Sequence, residues 1–416
     1  MKVVMAPIGT RGDIQPLLAL AIELKAAGHH VSFCAAPDYQ AWVEGLGMAF
    51  YAAGPPFEAL LREKADNLIK HPVEMVRSFK DDLAAIMEAQ FTVVREEARD
   101  ADVLIGAGFQ IVGSSVAESI GVPYQFIAYC PILLPTAVYP SFLIRRRQLP
   151  MWANRLSWRV IRWVFDWMFK APLNSHRIRL GLPPLQEVYA HNLAACEQVL
   201  LAWDREICPV PTDVPCAVHQ TGAWILHSHQ DILPEALEQF LQAGPAPVYL
   251  GFGSMTDSNP EQTTQLVIDA VQRVGCRAVV SRGWAGLGGK SLPENILAID
   301  SVPHTLLFPR MAAIVHHGGA GTTSAAVRSG APQVIVPHLG DQFFIGHRLR
   351  EAGLAPAPIL RTQLTVARLE AALRACLTDE GLKTRARAVG QKLAGANGVR
   401  DGVRHLERLV AGKSRP

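Results

Sequence analysis

The sequence predicts an α/β protein built from two successive Rossmann-like domains. Short continuous apolar runs, such as KVVMAPI at 2–8 and ADVLIGAG at 101–108, are typical of buried parallel strands. Helix-like segments alternate with these runs, and this alternation indicates a doubly wound parallel sheet. The same order begins again at PVYLGFGS, residues 247–254. At roughly 100–200 residues per domain, a chain of 416 residues fits two domains.

The first half opens with a strand, a glycine loop and a helix. The loop GTRGDIQP covers residues 9–16, and the helix LLALAIELKAAGH follows it, with Gly28 in the position of a C-cap. HVSFCAA and PYQFIAY are further strands of this half. We place the first domain at residues 1–212 and a linker rich in Pro and Cys near residues 205–222.

The second half repeats this order. The helix EQTTQLVIDAVQRVG precedes the strands RAVVSRG and ILAIDS, and AAIVHHGG then leads into the helix TTSAAVRSG and the strand PQVIVP. We place the second domain at residues 223–395. The tail, residues 396–416, is predicted to form a basic helix that packs back on the first domain.

Composition narrows the class of protein. A hydrophobic content of 49% and a charged content of 19% allow two cores and argue against disorder. The net charge of +3 is too small to indicate a nucleic-acid binder. The seven cysteines form no CxxC pair, so neither a zinc site nor a disulfide framework is expected. With no signal peptide or membrane-spanning stretch recognised, we expect a cytoplasmic protein.

The segment AAIVHHGGAGTTSAAVRSG combines a strand, a glycine loop and a helix. Glycines let a backbone approach a ligand closely, and the free amides of a helix N-terminus suit a phosphate. Thr322 and Thr323 are placed to cap this helix and to donate to phosphate oxygens. A histidine beside the loop can hydrogen-bond or pair with the same phosphates. The segment therefore indicates a diphosphate site, and a capped helix with a tight packing turn is the alternative.

Other glycine-loop sites do not fit this segment. A P-loop requires Gly-Lys-Ser/Thr, and the dinucleotide fingerprint requires a different glycine spacing. His316 and His317 are adjacent on a strand and point to opposite sides, so they are not a natural metal pair. The next βα unit ends in VPHLGDQ and brings Asp341 and Gln342 to the same edge of the sheet. A carboxylate followed by an amide can bind sugar hydroxyls.

These motifs together resemble the nucleotide-sugar glycosyltransferases of the GT-B fold, in which two Rossmann-like domains face each other across a central cleft. The donor signature is HHGGAGTT followed by GAPQVIVPHLGDQ, and GTRGDIQPLLALAIELKAAGH, VYLGFGSM, SVPH and NSHRIRLGLPP match as well. The subgroup includes antibiotic glycosyltransferases, bacterial lipid and rhamnolipid transferases, and sterol glucosyltransferases. The resemblance covers nearly the whole chain and implies an acceptor-binding first domain and a donor-binding second domain.

The resemblance implies roles for individual donor-side residues. His316 would contact the donor diphosphate, whereas His317 would pack below the loop. Asp341 and Gln342 would bind the transferred sugar. Val302 would offer its backbone to the base, with Arg282 beside it. The remaining expected diphosphate contacts are Thr10, Arg11, Ser254, Gly318, Gly319, Ala320, Gly321 and Thr322.

Asp13 is the predicted catalytic base. It lies in the loop after the first strand, where a positioned carboxylate can take the proton of an acceptor hydroxyl. The alternative is that Asp13 only caps the following helix. The resemblance, in which an aspartate often occupies this position, favours the base.

The implied reaction is inverting hexosyl transfer without a metal or other cofactor. Fixed dipoles at the helix N-terminus would stabilise the charge of the leaving diphosphate. UDP-glucose is the favoured donor, because Asp341 and Gln342 suit neighbouring hydroxyls, and a dTDP-deoxysugar in a rhamnosyl-type transfer is the alternative. A non-catalytic partner protein that resembles transferases and a nucleotide-sugar epimerase are the remote alternatives.

The acceptor side is indicated by residues 145–170, which hold four tryptophans, seven basic residues and one acid. Leu156, Val160, Trp163 and Trp167 fall on one helical stripe, and Arg155, Arg159 and Arg162 fall on another. The apolar stripe either lines an acceptor pocket, through Trp163 and Trp167, or contacts an anionic membrane surface. An ordinary helix that turns this stripe to the core is the third interpretation.

Both functional interpretations predict an apolar hydroxyl acceptor, and the second also predicts a peripheral position on the inner membrane surface. Monomer and dimer both remain open.

Overall fold

The computed structural model describes residues 1–56, 84–142, 144–145, 149–227, 232–253, 259–283 and 292–413. In this part of the chain, two parallel sheets carry helices on their faces, which confirms the predicted α/β fold class. No helix among the described residues combines the length and the apolar character that a membrane span requires.

The first sheet has seven parallel strands in the order β3-β2-β1-β4-β5-β6-β7. Its strands are β1 Lys2–Ile8, β2 His30–Ala35, β3 Ala49–Ala52, β4 Val103–Gly108, β5 Tyr124–Ala128, β6 Val199–Leu201 and β7 Val218–Gln220. The helices along this half are α1 Arg11–Ala26, α2 Gln40–Gly45, α3 at 84–97, α4 Gly113–Ile120, α5 Met151–Arg179 and α6 Val188–Ala194. Short 3-10 turns cover Pro37–Tyr39 and Pro131–Leu133.

The second sheet has five parallel strands in the order β10-β9-β8-β11-β12. They are β8 Val248–Gly251, β9 Ala278–Ser281, β10 Ile296–Ile299, β11 Ala313–His316 and β12 Gln333–Ile335. The accompanying helices are α7 Glu235–Gln242, α8 Pro260–Val274, α9 His304–Leu307, α10 Ala320–Ser329, α11 Gln342–Glu351, α12 Val366–Thr378, α13 Glu380–Leu393 and α14 Gly398–Lys413. Further 3-10 turns cover Phe308–Arg310 and Arg361–Gln363.

The region predicted as the linker contributes a strand to the first sheet. Val218–Gln220 forms β7 and pairs in parallel with β6, so this sheet extends beyond residue 212. The run of prolines and cysteines before it hides the strand, because a three-residue edge strand carries almost no periodic signal. The connection between the two sheets therefore runs from Thr221 towards α7.

The last helix, α14, packs on the first sheet's side of the molecule. Val399, Val403 and Leu406 are buried in the same apolar cluster as α1 and Trp224. Polar contacts add to this packing, since His405 Nε2 lies 3.1 Å from Gln125 Oε1. The chain thus crosses back after the second sheet and ties its end to the first.

In each sheet the strand order reverses at one point, and a loop of the candidate site leaves the sheet there. In the first sheet β1 lies between β2 and β4, and in the second β8 lies between β9 and β11. In open parallel sheets, ligands bind beyond the carboxyl ends of the strands at such a reversal. The loops that leave β1 and β11 start at these two points, and they carry Asp13 and the HHGGAGTT motif.

Candidate active site

Asp13 sits in the first turn of α1, directly beyond the end of β1. Its Oδ2 accepts a hydrogen bond from the Thr10 backbone amide at 2.8 Å, while the Thr10 side chain accepts from Gly12 N. Thr10 and Asp13 thus form a capping box. A methyl group at Gly9 would overlap the Asp13 carboxylate, so only glycine permits this close packing. The predicted capping role of Asp13 is therefore real.

The surroundings of Asp13 also change its acidity. Burial raises the pKa of its carboxyl to about 7, against the lowering effect of the Thr10 amide, and the charge of Asp341 adds to the rise. Desolvation disfavours the charged form of an acid, and a second carboxylate nearby acts in the same direction. The contribution of Asp341 shows that the first loop of one sheet faces the second sheet's site. A carboxyl group with this pKa can exchange a proton near neutral pH.

The neighbours of Asp13 lie at the same edge. Thr10 is the N-cap of α1. Arg11 is exposed, stacks its guanidinium 4.7 Å from the centre of the Trp42 ring, and is close enough to His304 to lower its pKa. The Tyr129 hydroxyl donates to the Asp13 backbone oxygen at 2.7 Å. Arg11 therefore belongs to the first sheet but acts electrostatically on a residue of the second.

The glycine loop after β11 leads directly into α10. The helix begins at Ala320, with Gly319 as N-cap and no side-chain cap, so Thr322 and Thr323 do not cap it as predicted. They lie inside the first turn because the helix starts two residues earlier than the threonines suggest. The first intrahelical bond is donated by Thr323 N to Gly319 O at 2.9 Å, so the amides of Ala320, Gly321 and Thr322 before it have no intrahelical partner. Gly318 has φ +93°, and a methyl group there would lie 2.9 Å from Ile335 Cγ2.

His316 lies beneath the loop and not at its mouth, where the resemblance placed it. Its side chain is fully buried. The Gly318 amide donates to its Nδ1 at 3.1 Å, and its Nε2 lies 2.8 Å from Gln333 Oε1. Because Nδ1 accepts, the proton resides on Nε2 and the ring is neutral. Burial lowers the pKa of His316 to about 4, so it holds the loop in shape and carries no charge near neutral pH.

The resemblance implies that His317 packs below the loop. In the structure its ring lies directly against the glycines of the loop. A methyl group at Gly319 would lie 2.5 Å from its Nε2, and one at Gly253 would lie 2.9 Å from its Cε1. Its Nδ1 is buried without a hydrogen-bond partner. Burial lowers its pKa to about 3, helped by His316 and His338. The sequence assigns His317 to packing below the loop by resemblance alone, because adjacent strand positions give no sign of which side chain the loop covers.

Asp341 and Gln342 stand at the start of α11. Asp341 is the N-cap residue, and Gln342 is the first helical residue. The Gln342 side-chain oxygen accepts from the amides of His338 and Leu339, at 2.8 and 3.2 Å. That oxygen therefore shapes the loop, and the predicted contact with a sugar hydroxyl falls to the amide nitrogen.

The predicted base-binding residues lie beyond β9 and β10. Val302 is half-buried in the loop between β10 and α9. Arg282 is exposed, donates its backbone amide to Ile299 O at 3.0 Å, and pairs with Asp300 at 3.4 Å. Ser254 lies outside the described residues. Within the described chain, no three His, Cys, Asp or Glu side chains are grouped to bind a metal ion.

Trp163 and Trp167 do not join this group. They lie on the outward face of α5, with 67% and 63% of their surface exposed. The third interpretation of their stripe is therefore wrong, since the core contacts of α5 come from a different face, which includes Trp158 and Ile161. The buried face of a helix can be predicted from periodicity. On α5, however, there are two apolar stripes, and the sequence alone does not show which of them is buried.

A small apolar cavity of about 10 Å³, the size of one water molecule, lies beside the loop that leads to Asp13 and is not evident from the sequence. It is lined by Gly9, Tyr39, Ala53, Pro55 and Ile86, among others. These residues come from distant parts of the chain. No local motif marks the cavity, because it forms only when the loops after β1, β2 and β3 meet.

Phe109 is a second unexpected feature of this edge. It follows β4 and donates its backbone amide to Ile8 O at 2.8 Å, yet 58% of its surface is exposed. Its neighbour Gly108 lies against the Asp13 carboxylate, because a methyl group there would be 2.9 Å from Oδ1. An exposed aromatic residue therefore follows directly after the glycine that lies against the carboxylate.

Two family models match separate halves of the chain. Residues 3–137 match the glycosyltransferase family 28 N-terminal domain. Residues 265–407 match the C-terminal domain described as erythromycin biosynthesis protein CIII-like. The two matches fall on the first and the second sheet.

Characterised relatives match along the full length. The chain is 35% identical to the vancomycin aglycone glucosyltransferase of Amycolatopsis orientalis, over 93% of this chain and 92% of that protein. It is 33% identical to a sterol 3-beta-glucosyltransferase of Arabidopsis thaliana, over 98% of this chain and 68% of that protein.

Solved structures share the fold at lower identity. The glycotransferase of kitacinnamycin has a TM-score of 0.72 and 20% identity, and covers 98% of this chain and 99% of its own. The glycosyltransferase VinC, solved in complex with DTDP, has a TM-score of 0.67 and 22% identity, and covers 99% of this chain and 100% of its own. With both family models and relatives above 30% identity along almost the whole chain, this protein belongs to the nucleotide-sugar glycosyltransferases of the GT-B fold.

Proposed function

We propose that the protein transfers a hexose, with inversion, from a nucleoside diphosphate sugar to a hydroxyl group of an apolar small molecule or lipid. The observation that carries the proposal is Asp13. Its carboxyl has a pKa of about 7, raised by burial and by Asp341, at the edge where the two sheets' loops face each other.

Asp13 is the proposed general base. As the acceptor oxygen attacks the anomeric carbon, the bond from that carbon to the diphosphate oxygen breaks, and the hydroxyl proton passes to the Asp13 carboxylate. A base whose pKa lies near the working pH is suited to this transfer. Oδ2 is engaged by the Thr10 amide, so Oδ1, on the Gly108 side, is the oxygen proposed to receive the proton.

The N-terminus of α10 is the proposed site for the leaving diphosphate. Its unpaired amides at Ala320, Gly321 and Thr322 can stabilise negative charge as it develops. His317, whose Nδ1 is buried without a partner, is added to this group. His316 acts through Gly318 and keeps the loop in the conformation that exposes these amides. The resulting site needs no divalent cation in this proposal.

The sugar and the base are proposed to be held by residues of the second sheet. Asp341 would accept from sugar hydroxyls and the Gln342 amide nitrogen would donate to one. Removing a hydroxyl from the donor would remove a hydrogen bond to this carboxylate, at about 1–3 kcal/mol. UDP-glucose is therefore the preferred donor over a dTDP-deoxysugar. Val302 and Arg282 would lie beside the nucleotide base.

The acceptor is proposed to enter from the first sheet's side. The surface formed by Gly9, Tyr39 and Ile86 is largely apolar and lies beside the loop that leads to Asp13. Phe109, exposed next to Gly108, offers an aromatic surface at the same edge. These surfaces favour a hydroxyl on an apolar skeleton. The names of the relatives, which act on a vancomycin aglycone and on a sterol, agree with this choice.

The test is a donor panel on one accepted alcohol, with UDP-glucose, dTDP-glucose, a dTDP-deoxysugar and GDP-glucose. We expect the highest kcat/KM with UDP-glucose, product of inverted anomeric configuration by NMR, and unchanged turnover in EDTA. Highest kcat/KM with the dTDP-deoxysugar would replace the donor assignment. Retention of configuration, or loss of turnover in EDTA, would contradict the proposed mechanism.

A further inference from the structure

Helix α5 turns a broad apolar face to solvent. Three tryptophans are each more than 60% exposed, and two aliphatic side chains between them are about half exposed. At about 100° per residue these five positions fall within roughly 80° of the helix circumference. The members of this face, called the α5 outer face below, are Trp152, Leu156, Val160, Trp163 and Trp167.

The opposite side of α5 fixes this orientation. Trp158 and Ile161 are buried in the core of the first sheet's half. The Trp158 indole donates to Tyr139 O at 3.1 Å, and Asn154 Nδ2 donates to Ala137 O at 2.8 Å. Turning the outer tryptophans inward would break these contacts, so the α5 outer face is a stable surface of the folded protein.

Basic residues border the α5 outer face. Arg155 and Arg159 are exposed along one of its edges. The nearby acids are engaged by other groups: Asp166 accepts from the Val188 amide at 2.8 Å and Glu187 pairs with Arg162. Asp213, whose pKa Arg155 helps to lower, accepts from the Ala137 amide at 2.7 Å. The face therefore joins three amphipathic aromatic rings to an excess of positive charge.

We propose that the α5 outer face binds the surface of an anionic lipid bilayer, with α5 lying in the plane of the interface. Tryptophan rings prefer the headgroup region, and basic side chains beside an apolar stripe are attracted to anionic lipids. A second copy of the chain fits less well. Antiparallel twofold packing would bring the Arg155 and Arg159 edges of two copies together, with no acid among the five members of the face to pair with them.

Packing contacts on the buried side connect α5 to the second sheet's half. The segment that holds the first half of α5, at 137–141, includes Tyr139, whose ring packs edge-on 4.8 Å from Phe344 of α11. Asp341 is the N-cap residue of that same helix. The α5 outer face is thus linked through two packed elements to the sugar-binding end proposed above. If the proposed function holds, binding to the bilayer would bring the enzyme to apolar acceptors dissolved in the membrane.

The experiment is flotation of the full-length protein with vesicles, in the absence of donor and acceptor, so that its outcome is separate from that of the transferase assay. Vesicles of phosphatidylcholine alone are compared with vesicles that also contain phosphatidylglycerol, at low and high salt. We expect binding to the anionic vesicles, weakened by salt. The Trp163→Ser/Trp167→Ser variant should bind more weakly by about tenfold or more. Arg155→Glu/Arg159→Glu should lose roughly fivefold or more per residue.

A matched control removes another exposed apolar side chain. Ile232, 87% exposed, lies outside α5, and Ile232→Ser should bind as the wild type does. Unchanged thermal unfolding of the variants shows that they are folded. Equal flotation of wild type and Trp163→Ser/Trp167→Ser, or no flotation of the wild type with anionic vesicles, would overturn the proposal. So would light scattering that shows a dimer which this double variant converts to a monomer.

Discussion

A single aspartate combines two roles that the sequence presented as alternatives. Asp13 closes the capping box of α1 through Oδ2, and the same burial that makes this bond also raises its pKa to about 7. The position of the Asp13 side chain serves the two roles in different ways. The cap needs an acceptor near the Thr10 amide, whereas base catalysis needs a carboxylate at the cleft that is partly withdrawn from water.

Replacing Asp13 by Asn separates these roles. The amide oxygen of Asn can still accept from Thr10, so the cap and the fold should persist. The proton acceptor is lost, and we expect kcat to fall by about 10²–10⁴-fold with little change in donor affinity. Steady-state kinetics and donor titration measure the two quantities. Near-normal turnover in a folded Asp13→Asn protein would remove this residue from the base role.

The pH profile of the wild type follows from the same pKa. A base must be deprotonated, and Asp13 loses its proton as pH rises through about 7. Hence kcat/KM should rise with pH across this region and level off above it. This rise of kcat/KM with pH should be absent from the residual activity of Asp13→Asn. An acidic limb centred near pH 4 would indicate that Asp13 is not desolvated in the working enzyme.

At the scale of elements, the glycine loop and α10 form one unit whose shape depends on particular glycines. Gly318 has φ +93° and no room for a methyl group beside Ile335. Gly321, three residues on, is exposed in α10, and a methyl group there would have no neighbouring atom within 4 Å. The two glycines therefore differ in their structural roles, although the motif alone does not distinguish them.

Substitution of each glycine by alanine tests this difference. Gly318→Ala should destabilise the protein by about 1–3 kcal/mol, because it adds a strained φ and a steric overlap. Gly321→Ala should be neutral or stabilise by up to about 1 kcal/mol, because Ala favours a helix over Gly. Chemical denaturation without ligand measures both. Equal effects of the two substitutions would show that the loop tolerates a side chain at Gly318.

At the scale of the whole molecule, contacts between distant segments hold the two sheets together. Arg328 of α10 donates to the buried carboxylate of Asp204 from the first sheet's half, with Nη2 2.8 Å from Oδ1. Helix α14 adds a second tie, since it follows the second sheet in sequence but packs on α1. Both ties join residues more than a hundred positions apart.

The packing of α14 predicts an effect on overall stability. Leu406 is fully buried against the first sheet's half, and Leu406→Ala should cost about 2–5 kcal/mol. Arg404, exposed on the same helix, is the matched control, and Arg404→Ala should change stability by less than about 0.5 kcal/mol. Denaturant unfolding measures both variants. A small effect of Leu406→Ala would mean that α14 contributes little to the fold.

Buried histidines predict how stability depends on pH. Burial lowers the pKa of His304 and His316 to about 4 and that of His317 to about 3, from 6.5. Between about pH 4 and 6.5 the unfolded chain binds these protons and the folded chain does not, so stability falls as pH falls through this window. Asp13 acts oppositely, because its raised pKa makes the folded chain bind the extra proton between about 4 and 7.

Three histidines outweigh one aspartate, so the midpoint of thermal unfolding should fall from pH 6.5 to pH 5. His317→Gln should flatten this dependence by up to about 1.4 kcal/mol per pH unit, the value for one proton. Ile232→Ser, which removes no titratable group, should leave the slope unchanged. A slope that is the same in all three proteins would show that His317 is protonated in the folded state.

The sequence by itself determined the strands, the glycine loops and the family, because these depend on local patterns. Continuous apolar runs require burial on both faces of a sheet, and HHGGAGTT and Asp13 stand at strand ends in any parallel arrangement. Helix starts were less certain, as α10 begins at Ala320 and not at the threonines. The sequence gives no local signal for β7, because its three residues form a strand only through their pairing with the adjacent β6.

Only the tertiary structure decided which of two equivalent-looking side chains reaches a given surface. His316 is bonded from both ring nitrogens beneath the loop, while His317 packs against it. Trp158 enters the core and Trp163 faces solvent, although each lies on an apolar stripe of α5. The reason is physical: burial, desolvation and the pKa of Asp13 depend on atoms from remote segments, and a sequence pattern records only the periodicity along its own element.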